Sequence, residues 1–221
     1  ATAINATTDV TLGNLVVDVP SPVVLTFTGA EELQINLTST TFSNPLTGAP
    51  GLIVDTAPKV NLGPLDMANS NNPVSEKIGT GEWIITDALS NFTGIGSLNV
   101  NEGALTLGDT GLLGTTIVNV NAATLKLSSV DTNPDPTYNE AIILTDGTTV
   151  LAGMADANSA PAAVVTLPSV INMSGQSLTL GTTDVGYELN IANPVTAGSL
   201  NLGGVGTVTF NAGGTVENAT V

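Results

Sequence analysis

The chain has 221 residues, with 19 Asp or Glu against 3 Lys or Arg, and a formal net charge of -16. Its only cations are Lys59, Lys77 and Lys126, and it holds no His and no Cys. That excludes nucleic-acid binding by a basic surface, disulfides, thiolate zinc sites, haem ligation by His and every nucleophile that needs His or Cys.

The first apolar segment runs from Ile4 to Leu12, with Ile4, Ala6, Thr8, Val10 and Leu12 on one face of a strand. Leu15, Val17 and Val19 alternate next, and Pro20 and Pro22 bracket a bend. Strands follow at 23–28 and 33–38, a turn at 44–50, and short strands at 51–55 and 59–62. Residues 64–80 read as a long loop, because Asn69-Ser-Asn-Asn-Pro73 suits no interior strand. The strand pattern resumes at 83–86, 97–100, 104–107, 115–120 and 123–127. A polar loop spans Asp131 to Glu140, and strands follow at 141–144 and 149–151. Leu151 to Pro161 is the one segment with helical character, stopped by its proline. The remaining strands fall at 163–167, 177–180, 187–191, 198–202, 207–210 and 214–220.

A short phrase recurs as Val10-Thr-Leu-Gly13, Val60-Asn-Leu-Gly63, Leu105-Thr-Leu-Gly108, Leu178-Thr-Leu-Gly181 and Leu200-Asn-Leu-Gly203. Its successive offsets of 50, 45, 73 and 22 lack the steady period of a solenoid. The phrase therefore reads as a strand end followed by a turn glycine. The expected fold is all-β, an antiparallel β-sandwich of Greek-key or jelly-roll type, with a β-solenoid as the runner-up. Residues 1–12 are a donor strand or a first strand, and residues 13–221 form the sandwich domain.

Composition points to a place. Charged residues are 10% of the chain, against about 25% in ordinary domains. The polar surface comes instead from 33 Thr, 22 Asn, 14 Ser and 24 Gly. Such a surface suits an extracellular, cell-surface or secreted setting, and the start at Ala1-Thr-Ala fits a processed secretory end. No apolar run reaches the roughly 18 residues of a membrane-spanning helix.

Chemistry is sparse. Glu31 and Glu32 are adjacent and point to opposite faces of a strand, and Glu82 and Asp87 are not placed across a cleft. Lys59 is a candidate base or, as a lone lysine, a solvated charge. No catalytic, cofactor or metal residue is assigned, and the chain reads as a non-enzyme. Asp131, Asn133 and Asp135 imitate the start of a calcium loop, but the glycine and glutamate that complete one are missing. The competing reading is a plain turn stiffened by prolines. Trp83 is either a ligand anchor or a core residue sharing a face with Ile85. Sequons at Asn5, Asn36, Asn91, Asn172 and Asn218 are acceptors for N-glycans, in the number expected by chance.

An extended terminus with this alternation suits strand addition to a second copy, with Ile4, Ala6, Val10 and Leu12 at the interface. The expected function is a structural subunit of an extracellular filament or surface matrix. The alternative is a cell-wall or glycan-binding surface module, and a remote third is a glycan-active enzyme.

Two resemblances bear on this. Gly79-Thr-Gly-Glu-Trp83-Ile-Ile-Thr-Asp87 through Ser90-Asn-Phe92-Thr-Gly94 resembles the first signature of WxL-type cell-surface domains. Tyr187 to Pro194, then Ala197 to Gly204 and Thr207 to Phe210, resemble the closing strands of those domains, with Phe210 where a second Trp would stand. In its processed start, Thr-rich short strands and lack of Cys, the chain is similar to secreted filament subunits of the TasA-like and archaeal bundling-pilin type. That resemblance implies a β-sandwich and donor-strand complementation.

Overall fold

The computed structural model describes residues 2–67, 73–86, 92, 95–110, 112–114, 116–130, 135–155, 159–169 and 171–220. Along the chain, short strands alternate between two sheets. Thr2–Asn5 opens the first and Val10–Val17 the second. Val23–Thr28 then returns to pair with Thr2–Asn5, and Gln34–Phe42 to pair with Val10–Val17. This winding continues to the C-terminus, giving a sheet of seven strands and a sheet of eleven. A third sheet of three strands, Ala163–Leu167, Tyr187–Ile191 and Thr207–Phe210, flanks the last windings. Every strand ladder is parallel.

The fold is thus a parallel β-solenoid, and the antiparallel sandwich expected from the sequence is overturned. Alternation and turn residues are common to both architectures, and neither reports which way a strand's neighbour runs. With the sandwich falls the resemblance to TasA-like and bundling-pilin subunits. The donor strand falls too, because the N-terminal segment is used within its own chain. Thr2–Asn5 pairs with Leu25–Thr28, and the Ala6 N–H donates to the Thr28 carbonyl at 2.8 Å. Ala6 is buried, and Ile4, Val10 and Leu12 pack against the core. A filament built by donating this strand is inconsistent with that arrangement.

The repeat was present in the recurring phrase. Register partners lie from 19 residues apart (Leu200 and Ala219) to 30 apart (Val150 and Leu180). The 50 residues from Val10 to Val60 are two turns, through Ile35, and the 45 from Val60 to Leu105 are two more, through Trp83. The 22 from Leu178 to Leu200 are a single turn.

Stacking in register builds the core. In the second sheet Val10, Ile35, Val60, Trp83, Leu105, Leu125, Val150, Leu180 and Leu202 form one inward row. The facing row of the first sheet runs Leu25, Val54, Lys77, Val100, Val120, Leu144. Each fully buried large apolar side chain in such a row contributes about 1.5–3 kcal/mol. Lys77 belongs to Val74–Ile78, a strand inside the segment expected to be a loop. The expected helix is also corrected. Thr148–Ala152 is a strand, Ser159 bridges Val130, and among the described residues of 151–161 none is helical; 156–158 lie outside them.

The corners are held by oxygens that reach from one turn to the next. Asp9 accepts the Gln34 N–H at 2.9 Å, Glu102 that of Gly79 at 3.2 Å, Asp135 that of Val164 at 3.0 Å and Asp184 that of Met154 at 2.8 Å. Asp146 accepts both the Ser177 N–H at 2.6 Å and its hydroxyl at 2.8 Å. Where the chain leaves a strand to turn, ladder hydrogen bonds stop, and these carboxylates replace them.

Candidate functional site

Residues 135–140 form an extended arm against the edge of the third sheet. The Tyr138 N–H donates to the Thr166 carbonyl and the Thr166 N–H to the Pro136 carbonyl, both at 2.8 Å. Extended backbone sends successive side chains to opposite sides. Pro136, Tyr138 and Glu140 are accordingly buried, while Asp135, Thr137 and Asn139 face solvent. The Tyr138 hydroxyl fixes the arm. It lies 2.8 Å from the Leu107 carbonyl oxygen and 2.7 Å from that of Ser128, and accepts the Ser128 N–H at 3.2 Å. Burial pushes its pKa well above the usual 10, with the charges of Glu140 and Asp109 acting in the same direction. This hydroxyl therefore keeps its proton and serves as an anchor.

Beside the arm, Thr110 and Gly114 of the preceding corner close a hollow of about 230 Å³ with Thr137, Asn139 and Glu140. Among the described residues its lining is hydroxyl, amide and carboxyl, without an apolar side chain. Glu140 is 5% exposed, whereas Thr137 and Asn139 are open to solvent. Three further hollows are lined mainly by apolar side chains. One of about 180 Å³ lies where the first sheet ends at Ile142–Leu144, bordered by Leu167, Ile171 and Met173. One of about 270 Å³ lies near the N-terminus among Leu15, Val17, Val19, Pro20 and Pro22. A third of about 180 Å³ lies near the C-terminus between Val195, Leu200 and Phe210.

Trp83 is 0% exposed within the inward row of the second sheet, so it is a core residue and no ligand platform. Tyr138, Tyr187, Phe27 and Phe92 are buried as well, and Phe210 alone among the aromatics is exposed. The glycine-rich turn before Trp83 has a structural cause. Gly79 and Gly103 adopt φ of +78° and +67°, and a Cβ on Gly103 would collide with the carbonyl oxygens of Gly79 and Gly81 on the adjacent turn. That corner stacks backbone on backbone, which accounts for Gly79 and Gly81 of the WxL-type resemblance.

Lys59 is exposed and pairs in register with Glu82, whose carboxylate accepts the Thr106 hydroxyl. Glu31 and Glu32 are exposed in a turn. Of the suspected calcium loop, Asp131 and Asn133 lie outside the described residues, and Asp135 is engaged by Val164. Among the described residues no three acidic side chains converge as a metal site would need. Of the sequons, Asn5, Asn172 and Asn218 are exposed, Asn36 is half-buried in a strand, and Asn91 lies outside the described residues. No helix among the described residues is long and apolar enough to cross a membrane.

Sequence reasoning reached Glu140 only as the end of the suspected calcium loop and passed over Thr110 and Gly114. The alternation of polar and buried residues along 135–140 was the available signal. Comparison with family models, with curated proteins and with solved structures finds no match to this chain.

Proposed function

We propose that this protein is an extracellular glycan-binding module that acts by recognition without chemical turnover. The observation that carries this reading is the hollow formed by Thr110, Gly114, Thr137, Asn139 and Glu140. Sugars present hydroxyls that both donate and accept. Two threonine hydroxyls, one amide and one carboxyl are groups of that kind. The solenoid supplies a rigid support, since Tyr138 ties the arm to two successive turns of the stack. Repeat folds of this kind also expose long surfaces suited to extended polymers.

The test is a glycan array followed by calorimetry on the best ligands. Asn139→Ala and Glu140→Gln should each weaken binding about tenfold, the effect of about 1.4 kcal/mol of lost hydrogen bonding. Val185→Ser, on an exposed turn remote in sequence, should leave affinity unchanged. Bound oligosaccharides should be recovered intact after prolonged incubation. Binding that ignores both hollow variants, or cleavage of the ligand, refutes the reading.

A further inference from the structure

We propose that Asn172 is an N-glycan acceptor, and that the first sugar of its glycan lies over the apolar hollow where the first sheet ends. This site is independent of the polar hollow beside Tyr138. Five sequons are what chance gives, so position and not number singles one out. Asn36 is half-buried, with Thr11 and Asn61 in register on either side and its amide oxygen accepting the Gln34 amide at 3.1 Å. The Asn5 amide oxygen accepts the Thr28 hydroxyl at 3.0 Å, and the Asn218 amide nitrogen faces the Gly198 carbonyl at 3.4 Å. Asn172 is exposed, and among the described residues no group holds its amide. Its strand, Ile171–Thr182, is covered on one side only at this point. Asn172 pairs with Thr196, while the preceding strand Thr148–Ala152 reaches back no further than Leu178. The ladder is interrupted between Met173 and Ser177, where Gly175 turns with φ of +72° and a Cβ on it would meet nothing within 4 Å. Ser174, the hydroxyl residue of the sequon, is exposed, and Met173 between it and Asn172 turns into the core. A transferase therefore reaches the amide and the hydroxyl from the same side.

The hollow gives the sugar a seat. The first sheet ends at Ile142–Leu144, whose outer edge pairs with no strand among the described residues. Ile143 is 52% exposed there, and Asn172 borders the same hollow together with Leu144, Ile171 and Met173. An unpaired edge carrying an exposed isoleucine invites pairing with other chains, and proteins suppress this by covering the edge. An N-acetylhexosamine has a face of C–H groups and an acetyl methyl. Tethered at Asn172, these cover Ile143 as an intramolecular contact, at high effective concentration, while the sugar hydroxyls stay in water. In the transfer, the Asn172 amide nitrogen attacks the anomeric carbon of a sugar carried on a lipid diphosphate. The carbon–nitrogen bond forms, the bond from the anomeric carbon to the diphosphate oxygen breaks with its electron pair left on the diphosphate, and one amide proton passes to the base of the transferase.

The full chain, produced folded in a host without N-glycosylation, is incubated with a purified oligosaccharyltransferase and a lipid-diphosphate-linked N-acetylglucosamine oligosaccharide, and the product is mapped by mass spectrometry. Asn172 should be modified first and Asn36 not at all. Ser174→Ala, at an exposed position where folding is not at stake, should abolish the modification of Asn172, and Ser174→Thr should retain it. The glycosylated chain should bind less of a hydrophobic dye than the bare chain and melt about 2–4 °C higher, the shift of a small packing gain in a chain of this size. Ile143→Ser should remove both differences and leave Asn172 modified. Absence of transfer to Asn172, transfer to another sequon before it, or transfer that survives Ser174→Ala overturns the acceptor. A glycan on Asn172 that changes neither dye binding nor melting, or whose effects persist in Ile143→Ser, overturns its seat over the hollow.

Discussion

The ammonium of Lys77 sits inside the solenoid, 0% exposed, between Val54 and Val100 in the inward row. It donates to the carbonyls of Ile78 at 2.8 Å, Gly79 at 2.6 Å and Glu102 at 3.1 Å, so all three of its protons are used. Burial lowers its pKa from 10.5 to about 8, against the opposing pull of Glu102, Asp55 and Glu82. A folded value below the unfolded one means that the unfolded chain holds the proton more tightly. Below about pH 8 both states are protonated, and the fold bears the whole cost of the buried charge. From there up to the unfolded value of 10.5 only the unfolded chain keeps its proton, so stability rises with pH. At about 1.4 kcal/mol per unit, the gain up to about pH 9.5 is at most about 2 kcal/mol, and this window ends before tyrosine ionises near 10. Urea unfolding across the window should show midpoints climbing in the wild type. Lys77→Met keeps the length of the side chain without a titrating group, and its midpoints should stay level. Its absolute stability reflects lost hydrogen bonds set against relieved desolvation, so the slope is the readout. A wild-type stability that is flat or falls over the window, or a rise that persists in Lys77→Met, refutes the assignment.

Asp146, whose carboxylate takes two hydrogen bonds from Ser177, has its pKa held below 3.8 by them. Its contribution is present above the unfolded pKa and lost as pH falls through the folded value. Asp146→Asn should therefore lessen the loss of stability on acidification, and an unchanged acid transition would count against this. Trp83→Ala should cost about 3–5 kcal/mol in chemical unfolding, and the wild-type indole should resist aqueous quenchers and ignore added glycans. Quenching at the rate of exposed indole would place it elsewhere. Removing residues 1–12 strips the strand on Leu25–Thr28 and the first part of the strand on Gln34–Phe42. The remaining turns should stay β-folded with a lower melting temperature, as in other repeat arrays. An unchanged melting temperature would show that the segment is not part of the stack.

The bounds of several strands were legible in the sequence, although the run expected from Ile4 to Leu12 is split between Thr2–Asn5 and Val10–Val17 in different sheets. Segments 23–28, 97–100, 104–107, 163–167, 187–191 and 207–210 coincide with observed strands. Val74–Ile78 escaped because Lys77 occupies an inward position that normally signals an outward one, and because an Asn-rich run precedes it. How the strands pair was not legible. The recurring phrase marks only some turns of the second sheet; between its copies the same row is filled by Ile35, Trp83, Leu125 and Val150 in other wording. Three of the four spacings are whole numbers of uneven turns, and the 73 from Leu105 to Leu178 falls two residues short of the in-register Leu180. The hollow was less legible still, since Thr110 and Gly114 meet Thr137, Asn139 and Glu140 only through the winding.

The winding also accounts for the composition that first suggested an extracellular polymer. In a parallel solenoid each outward side chain lies beside its equivalent on the next turn, about 4.8 Å away. A like charge there is destabilising, whereas asparagine on asparagine is not, because an amide both donates and accepts. Asn119 donates to Asn99 and Asn121 to Asn101, each at 2.8 Å, and Asn211 donates to Asn190 at 2.7 Å. Lysine gains nothing from such stacking, since its ammonium has no acceptor. Carboxylates keep a place at corners, where Asp9, Glu102, Asp135, Asp146 and Asp184 each receive an N–H from the adjoining turn. The excess of acid over base thus follows from a backbone that leaves donors to be satisfied at its bends. The Thr- and Asn-rich faces follow from register. What sets the polar hollow apart from those faces is its place beside the arm that Tyr138 pins to two successive turns.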